Sequence, residues 1–401
     1  MIFKKLGIKN KKTARIITLS CILFVVIVAV CVFFFFIRDS GPQTPLHDEN
    51  GLYDQELIAV VVEGKFGFIN TQGEFIINPQ FDFAWDFAEN GLASVLVDEK
   101  WGYINTRGEF IVTPQFTGAW NFNESGFATV RVGDAFGFIN SQGEFVIEPQ
   151  FDDAWDFAED GLARVLVGGK VGFINTHGEF VIEPLFDFAW DFTDNGLARV
   201  HIEDSAGFIN TKGEIVIEPQ FNLAWDFADN DLTGVVVGDR WGYINTQGEF
   251  VIDPQFDFAW SFEDNGLAMV RVEGKVGFIN AQGYFVIDLR FDDAASFTEN
   301  GLALVHVRDG VGFINTQGEF VINPQFDSAG SFTENGLARV LVGDKWGYIN
   351  IRGEFAIDPQ FDDAWNFTES GFAAVLVGDG WGLINEQGEF VVQPRFDFIY
   401  H

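Results

Sequence analysis

The chain reads as an all-β protein: ten tandem 35-residue β-hairpin repeats in an open superhelical, solenoid-like array, preceded by one transmembrane helix. Three observations lead there. Glycines recur every 35 residues from Gly67 through Gly102 and Gly137 to Gly382, with no insertion or deletion. Between them, short segments alternate with the period of two that belongs to strands. Ahead of them, residues 16–37 form an unbroken apolar run. A period of roughly 20 to 50 residues marks units that cannot bury their own apolar faces and must be covered by their neighbours.

In chain order, residues 1–15 are a basic tail carrying Lys4, Lys5, Lys9, Lys11, Lys12 and Arg15. Ile16 to Ile37 carries no charge, and at about 1.5 Å per residue it spans the roughly 30 Å hydrocarbon core of a bilayer. The run is long for a cleaved signal peptide and no small-x-small site follows it, so it is read as an uncleaved signal anchor. Positive charge before it and acidity after it place the N-terminus in the cytoplasm and the repeats outside the cell membrane. Residues 38–56, with Gly41, Pro42 and Pro45, read as a tether, and 57–401 as the repeat domain.

Seven of the 24 basic residues and none of the 59 acids lie in residues 1–38, leaving 17 bases against 59 acids, a formal charge of −42 on the remainder. Such a field repels phosphate backbones, which argues against nucleic acid as a partner and keeps a Phe-rich array soluble. Cys21 and Cys31 both fall inside the apolar run, so the repeats contain no disulfide framework and no thiolate metal site.

One repeat, Gly161 to Asp194, stands for the rest. Leu162 to Val167 is a strand whose Ala163, Val165 and Val167 alternate with Arg164 and Leu166; the position of Arg164 holds Ser94, Thr129, Arg199 and Met269 in other copies. A tight Gly168-Gly169-Lys170 turn leads to the strand Val171 to Asn175. Asn175 and Gly178 then suit a type I turn closed by a glycine bulge. Phe180 to Ile182 forms a third strand, ended by Glu183-Pro184 because proline has no amide to donate. A fourth, Phe186 to Phe192, matches Phe81-Asp82-Phe83-Ala84-Trp85-Asp86-Phe87, read as aromatics on one side and Asp, Ala, Asp on the other. Gly172 and its equivalents recur because a Cβ there would strike a neighbouring strand or ring, and Phe186 and Phe192 belong to the core between repeats.

The run Trp241-Gly242-Tyr243-Ile244-Asn245-Thr246-Gln247-Gly248-Glu249-Phe250, followed by Pro254-Gln255-Phe256-Asp257 and Gly266-Leu267-Ala268, closely resembles the bacterial WG repeat family, and the likeness covers nearly everything after residue 56. The resemblance implies all-β tandem repeats, often on exported or surface proteins, with no established catalytic activity. The naming tryptophan stands only at Trp101, Trp241, Trp346 and Trp381, replaced elsewhere by residues such as Phe66, Val171 and Ala206. The alternative to an open array is a closed β-propeller, since four strands per unit suit a blade. Ten blades, however, exceed the usual four to eight.

No catalytic, cofactor or metal site stands out. His47, His177, His201, His306 and His401 fall at unequal repeat positions, with His201 and His306 read as solvated surface. Paired acids such as Asp82 with Asp86 or Asp152 with Asp156 are repeated rather than singled out, which argues against an enzyme; rows of Asp would bind Ca²⁺ only weakly. The sharper candidates are Trp85, Trp120, Trp155, Trp190, Trp225, Trp260 and Trp365, which occupy one position of the fourth strand and would either stack on sugar rings or simply fill the core. Two copies lack this ring, with Ala295 and Gly330. The expected function is a membrane-anchored, extracytoplasmic binding or scaffolding module for cell-wall glycan or an envelope protein, with an acidic surface spacer lacking a specific ligand as the alternative.

Overall fold

A computed structural model of the protein describes residues 57–308 and 310–400. The anchor expected over residues 16–37 and the tether over 38–56 lie outside the described residues. Every regular element described is a β-strand. The strands form ten four-stranded antiparallel sheets, the blades of a closed ten-bladed β-propeller. The open superhelical array is thereby corrected to its alternative.

In one blade, strand a is Phe83–Ala84, b is Leu92–Val97, c is Lys100–Asn105 and d is Phe110–Phe116, hydrogen-bonded in the order a-b-c-d. The closing blade takes its strands from both ends of the repeat region. Phe398–Ile399 supplies strand a, and Ile58–Val62, Lys65–Ile69 and Phe75–Phe81 supply b, c and d. Val60 faces Ile399 and Val61 faces Phe398 across the seam. The first and last strands therefore need no polar caps, because each is the other's neighbour.

This blade begins one strand earlier than the sequence motif suggests. The segment read as a fourth strand contributes two ladder residues, and they belong to the next blade: strand d ends at Phe81, Asp82 crosses over, and Phe83 already pairs with Leu96. The crossing breaks the alternation expected from Phe81 to Phe87. Phe81 and Ala84 are buried, whereas Phe83 and Trp85 are not.

Ten hydrophobic clusters occupy the junctions, one between each pair of consecutive blades. Each joins strands c and d of one blade to strands a, b and c of the next. At the seam, Val392, Phe396 and Ile399 meet Ile58, Val60 and Ile69. Strand b is buried on both faces at its centre, as Ala163, Arg164 and Val165 show, because each blade is sandwiched between two others. Phe186 lies in a junction core as expected, and Phe192 packs against its edge.

A Cβ on Gly172 would come within 2.7 Å of the Ile182 carbonyl oxygen and 2.8 Å of the Pro184 nitrogen. The strand c glycine thus lets a bulged strand d pass directly over it, and proline sits where the irregular ladder asks for no donor. Asn175 builds the turn between c and d by accepting from the amides of His177 and Glu179 at 3.0 Å, with Gly178 at φ 78°.

Candidate functional site: an aromatic arc across the seam

None of the seven candidate tryptophans is fully buried in a junction core, although Trp225 and Trp260 pack against the edge of one. Trp260 lies within a longer strand a, Phe258–Phe262; the other six follow strand a, and their backbone amides bond to strand b, as Trp85 does to the Ser94 carbonyl at 3.0 Å. Where strand c carries tyrosine, a buried hydroxyl fixes this segment: Tyr103 donates to the Trp120 carbonyl at 2.6 Å and Tyr243 to that of Trp260 at 2.6 Å. Burial raises both phenols, so they remain donors at neutral pH.

What covers each indole depends on the residue nine positions later, on strand b. Where that residue is arginine, the guanidinium lies on the ring: Arg164 is 5.0 Å from Trp155 and Arg199 is 3.7 Å from Trp190. Where it is Gly234, the Trp241 ring stacks on Trp225 at 5.2 Å, and the Trp225 indole nitrogen donates to the Ala259 carbonyl at 2.8 Å. Trp260 packs on Phe258 at 4.4 Å and under Arg271. These four rings are half-buried.

On four other blades the strand b residue is alanine, serine or threonine, and the ring is exposed. Ala374, Ala59, Ser94 and Thr129 stand beside Trp365, Tyr400, Trp85 and Trp120, whose exposures are 44 %, 39 %, 39 % and 42 %. These four occupy consecutive blades centred on the seam. Ring contacts run without a break from Trp365 through Phe398 (6.3 Å), Tyr400 (4.8 Å) and Phe83 (6.3 Å) to Trp85 (5.2 Å). Buried Trp381 and Phe66 support the arc from below, 5.5 Å from Phe398 and 4.8 Å from Phe83. Closure brings together what lies at opposite ends of the sequence.

The carboxylates beside the rings form two sets. Asp82 and its equivalents clamp hairpins: Asp82 accepts from the Asp98 amide at 2.9 Å and from Lys65, which holds its carboxyl below the usual range. Asp86 and its equivalents instead face strand b of the preceding blade. Arg164 donates to both oxygens of Asp191, at 2.7 and 3.0 Å, and to the Ala189 carbonyl at 3.0 Å. Arg199 pairs with Asp226 at 3.1 Å, and Thr129 donates to Asp156 at 2.6 Å. Desolvation raises the Asp156 and Asp226 carboxyls, with Arg164 and Arg199 opposing it in part. Asp82 and Asp86 therefore do separate jobs and are not a pair. Among the described residues no group of three or more His, Cys, Asp or Glu is gathered as a metal site.

His201 departs from its expected solvated surface. It is half-buried between Phe188 at 6.3 Å and Trp190 at 5.4 Å, and desolvation together with Arg199 lowers its pKa. His306 and His177 are exposed. Tyr400, Phe398 and the arginines were missed as site residues. The offset linking Arg164 to Asp191 and Arg199 to Asp226 was a readable signal in the sequence.

The model of the WG containing repeat matches ten successive segments, from 66–101 to 381–401. The chain belongs to the WG repeat family. No curated protein matches it in sequence. Among solved structures, one described as the eukaryotic initiation factor is 10 % identical, with a TM-score of 0.51 over 85 % of this chain and 100 % of that one. Hsv2p of Kluyveromyces lactis is 9 % identical (TM-score 0.34, covering 58 % of this chain and 91 % of that one). The dihydro-heme d1 dehydrogenase NirN is 12 % identical (TM-score 0.36, covering 71 % and 76 %). At such identities the first likeness speaks to the fold alone, and the WG repeat ring has to be read from its own residues.

Proposed function

We propose that this WG repeat protein is a binding or scaffolding module, carried outside the cell membrane by an anchor at residues 16–37, and that its ligand face is the aromatic arc across the seam. The observation that carries this reading is the exposure of Trp365, Tyr400, Trp85 and Trp120 on consecutive blades, while the equivalent tryptophans elsewhere are half-buried under the protein's own side chains. Clustered exposed aromatics on a soluble surface are characteristic of interaction sites, and the contiguous blades offer several contacts to one extended ligand. The role is binding rather than catalysis, because the carboxylates around the arc are copies of those in the other blades. A ligand-free spacer would gain nothing from leaving four rings uncovered.

The test compares the full chain with a Trp85→Ala, Trp120→Ala, Trp365→Ala variant for retention on purified cell-wall polymer and on isolated envelope protein fractions. Saturable retention that the triple variant loses supports the arc and names the ligand class. Equal retention of both proteins places the binding face elsewhere on the ring. Failure of the wild type to be retained by either material favours the spacer.

A further inference from the structure

The strand b residue and the residue 27 positions later, on the next blade, match one another around the ring. Arginine meets aspartate at Arg164 and Asp191 and at Arg199 and Asp226; hydroxyl meets carboxylate or amide at Thr129 and Asp156 and at Ser94 and Asn121. Gly234, Met269 and Leu304, which can donate nothing, are followed by Ser261, Ser296 and Ser331. Two described pairs depart from the rule: Arg339 is followed by the amide Asn366, and at the seam an aspartate stands with no donor opposite it. Ala59 stands where Arg164 stands, yet its counterpart is still an aspartate, Asp86.

The occupied copies show what such a position holds. In each, a guanidinium rests on the ring that follows strand a, pairs with the aspartate of the next blade and donates to a carbonyl of that blade's strand a. Arg164 does this with Trp155, Asp191 and Ala189, and Arg199 with Trp190, Asp226 and Ala224. Arg339 repeats the carbonyl contact with Ala364 and lies 5.9 Å from the Trp365 ring. The same three elements at the seam are the Tyr400 ring, the Asp86 carboxylate and the Ala84 carbonyl.

Ala59 is fully buried and sends nothing toward them. Tyr400 is exposed, and the Asp86 carboxylate has no hydrogen-bond or ion-pair partner among the described residues. Desolvation raises the Asp86 carboxyl with no cation to oppose it, unlike Asp156 and Asp226.

We propose that Tyr400, Asp86 and the Ala84 carbonyl form an acceptor for an arginine side chain of a basic partner protein, which supplies from outside the guanidinium that Arg164 and Arg199 supply from within. This rests on the reading of the arc as the ligand face and names the chemistry of its ligand. The formal charge of −42 beyond residue 38 draws a basic partner toward the ring. Arginine is specified over lysine because a carboxylate, a carbonyl and an aromatic face together match a planar fork, not a point charge.

The experiment titrates the full chain with Ac-Gly-Arg-Gly-NH2 and with its citrulline counterpart, which keeps the shape and loses the charge, at about 0.15 M salt to screen the general acidic field. The wild type is expected to bind the arginine peptide at least tenfold more tightly than the citrulline peptide. Asp86→Asn, which breaks no side-chain hydrogen bond or ion pair, is expected to fold and to lose that difference; Tyr400→Ala weakens the arginine peptide while Asp86 remains. Equal affinity of wild type and Asp86→Asn for the arginine peptide overturns the acceptor. So does a wild type that does not discriminate between the two peptides. Retention of wall polymer or envelope protein by the arc is measured separately with the triple tryptophan variant, so the acceptor can fail while the arc stands.

Discussion

Asp397 accepts a hydrogen bond at 2.7 Å from the backbone amide of Glu63, 334 residues earlier in the chain. Within the chain the same contact links residues 16 apart, as from Gly168 to Asp152 and from Gly343 to Asp327, both at 2.7 Å. The seam therefore repeats an internal step of the ring, and the two ends meet through contacts the motif already encodes.

Closure should accordingly be essential to stability. Ile399 is 1 % exposed and joins the seam core with Ile58 and Val60, so Ile399→Ala is expected to cost about 2–5 kcal/mol, as other large-to-small core changes do. Denaturant unfolding of the full chain measures it. An open array with a frayed last strand would instead lose well under 1 kcal/mol.

The strand c glycines should be intolerant for a reason distinct from that of the turn glycines. A Cβ on Gly242 would lie 2.6 Å from the Ile252 carbonyl oxygen and 2.7 Å from the Pro254 nitrogen, backbone atoms that cannot step aside. Gly266, at φ 76°, has nothing within 4 Å of such a Cβ. Gly242→Ala is expected to destabilise by about 3 kcal/mol or more, as overpacking does. Gly266→Ala should cost about 1 kcal/mol, the strain of a left-handed backbone. Thermal unfolding of the two variants side by side checks the order.

The contrast shows how far the sequence reached. Gly172 and Asn175 disclosed the close crossing and the turn type because those are local demands on φ, donors and Cβ space, whereas Pro184, read as the end of the third strand, lies inside a strand that runs on to Phe186. Whether the array closes depends on the small rotation between blades, which no residue declares, so the pairing of Val60 with Ile399 was hidden. Trp85 was misplaced as one of a run of aligned aromatics because the chain changes blade at Asp82, and that change interrupts the period. The aromatic arc was illegible for the same reason: Trp365 and Tyr400 stand far in sequence from Phe83 and Trp85 and become neighbours only through closure. The match between Arg164 and Asp191 was legible in principle, as a recurring offset, without any structure.

Asp86 gives a pH signature with a defined sign. Its carboxyl is raised from 3.8 by desolvation alone, so the fold disfavours its charge. Between the unfolded value and the raised folded one, the native state holds more protons than the unfolded state, and stability falls as pH rises through that window. Above it the penalty is complete. Asp86→Asn carries no such penalty, so the variant should unfold at a higher temperature than wild type at pH 7, with the gap closing as pH falls toward 3.8. The acids whose pKa is lowered by lysine, Asp82, Asp187, Asp292 and Asp362, contribute stability above their unfolded value and lose it at still lower pH. They are unchanged in the variant and cancel in the difference. A variant no more stable than wild type at pH 7 would falsify the assignment.

The matching of strand b residues to the next blade should behave as a coupled pair rather than as two independent sites. Arg164 is almost wholly buried and places its guanidinium against Asp191, whose side chain is 37 % exposed. Removing the arginine alone, as Arg164→Leu, leaves a carboxylate in a partly desolvated position with no donor and uncovers Trp155. Removing the aspartate alone, as Asp191→Ser, leaves a buried cation without its counter-charge. Loss of one partner of a fully buried pair costs about 3–5 kcal/mol, and the solvent at Asp191 reduces this to roughly 1–3 kcal/mol for either change. The double variant Arg164→Leu, Asp191→Ser installs the combination that Leu304 and Ser331 already use in this ring, so its cost should fall below the sum of the single costs by about 1–2 kcal/mol. A double-mutant cycle in urea gives the coupling directly. Strict additivity would mean that the two residues are neighbours in space without depending on each other, and that the blades are ordered by their apolar cores alone.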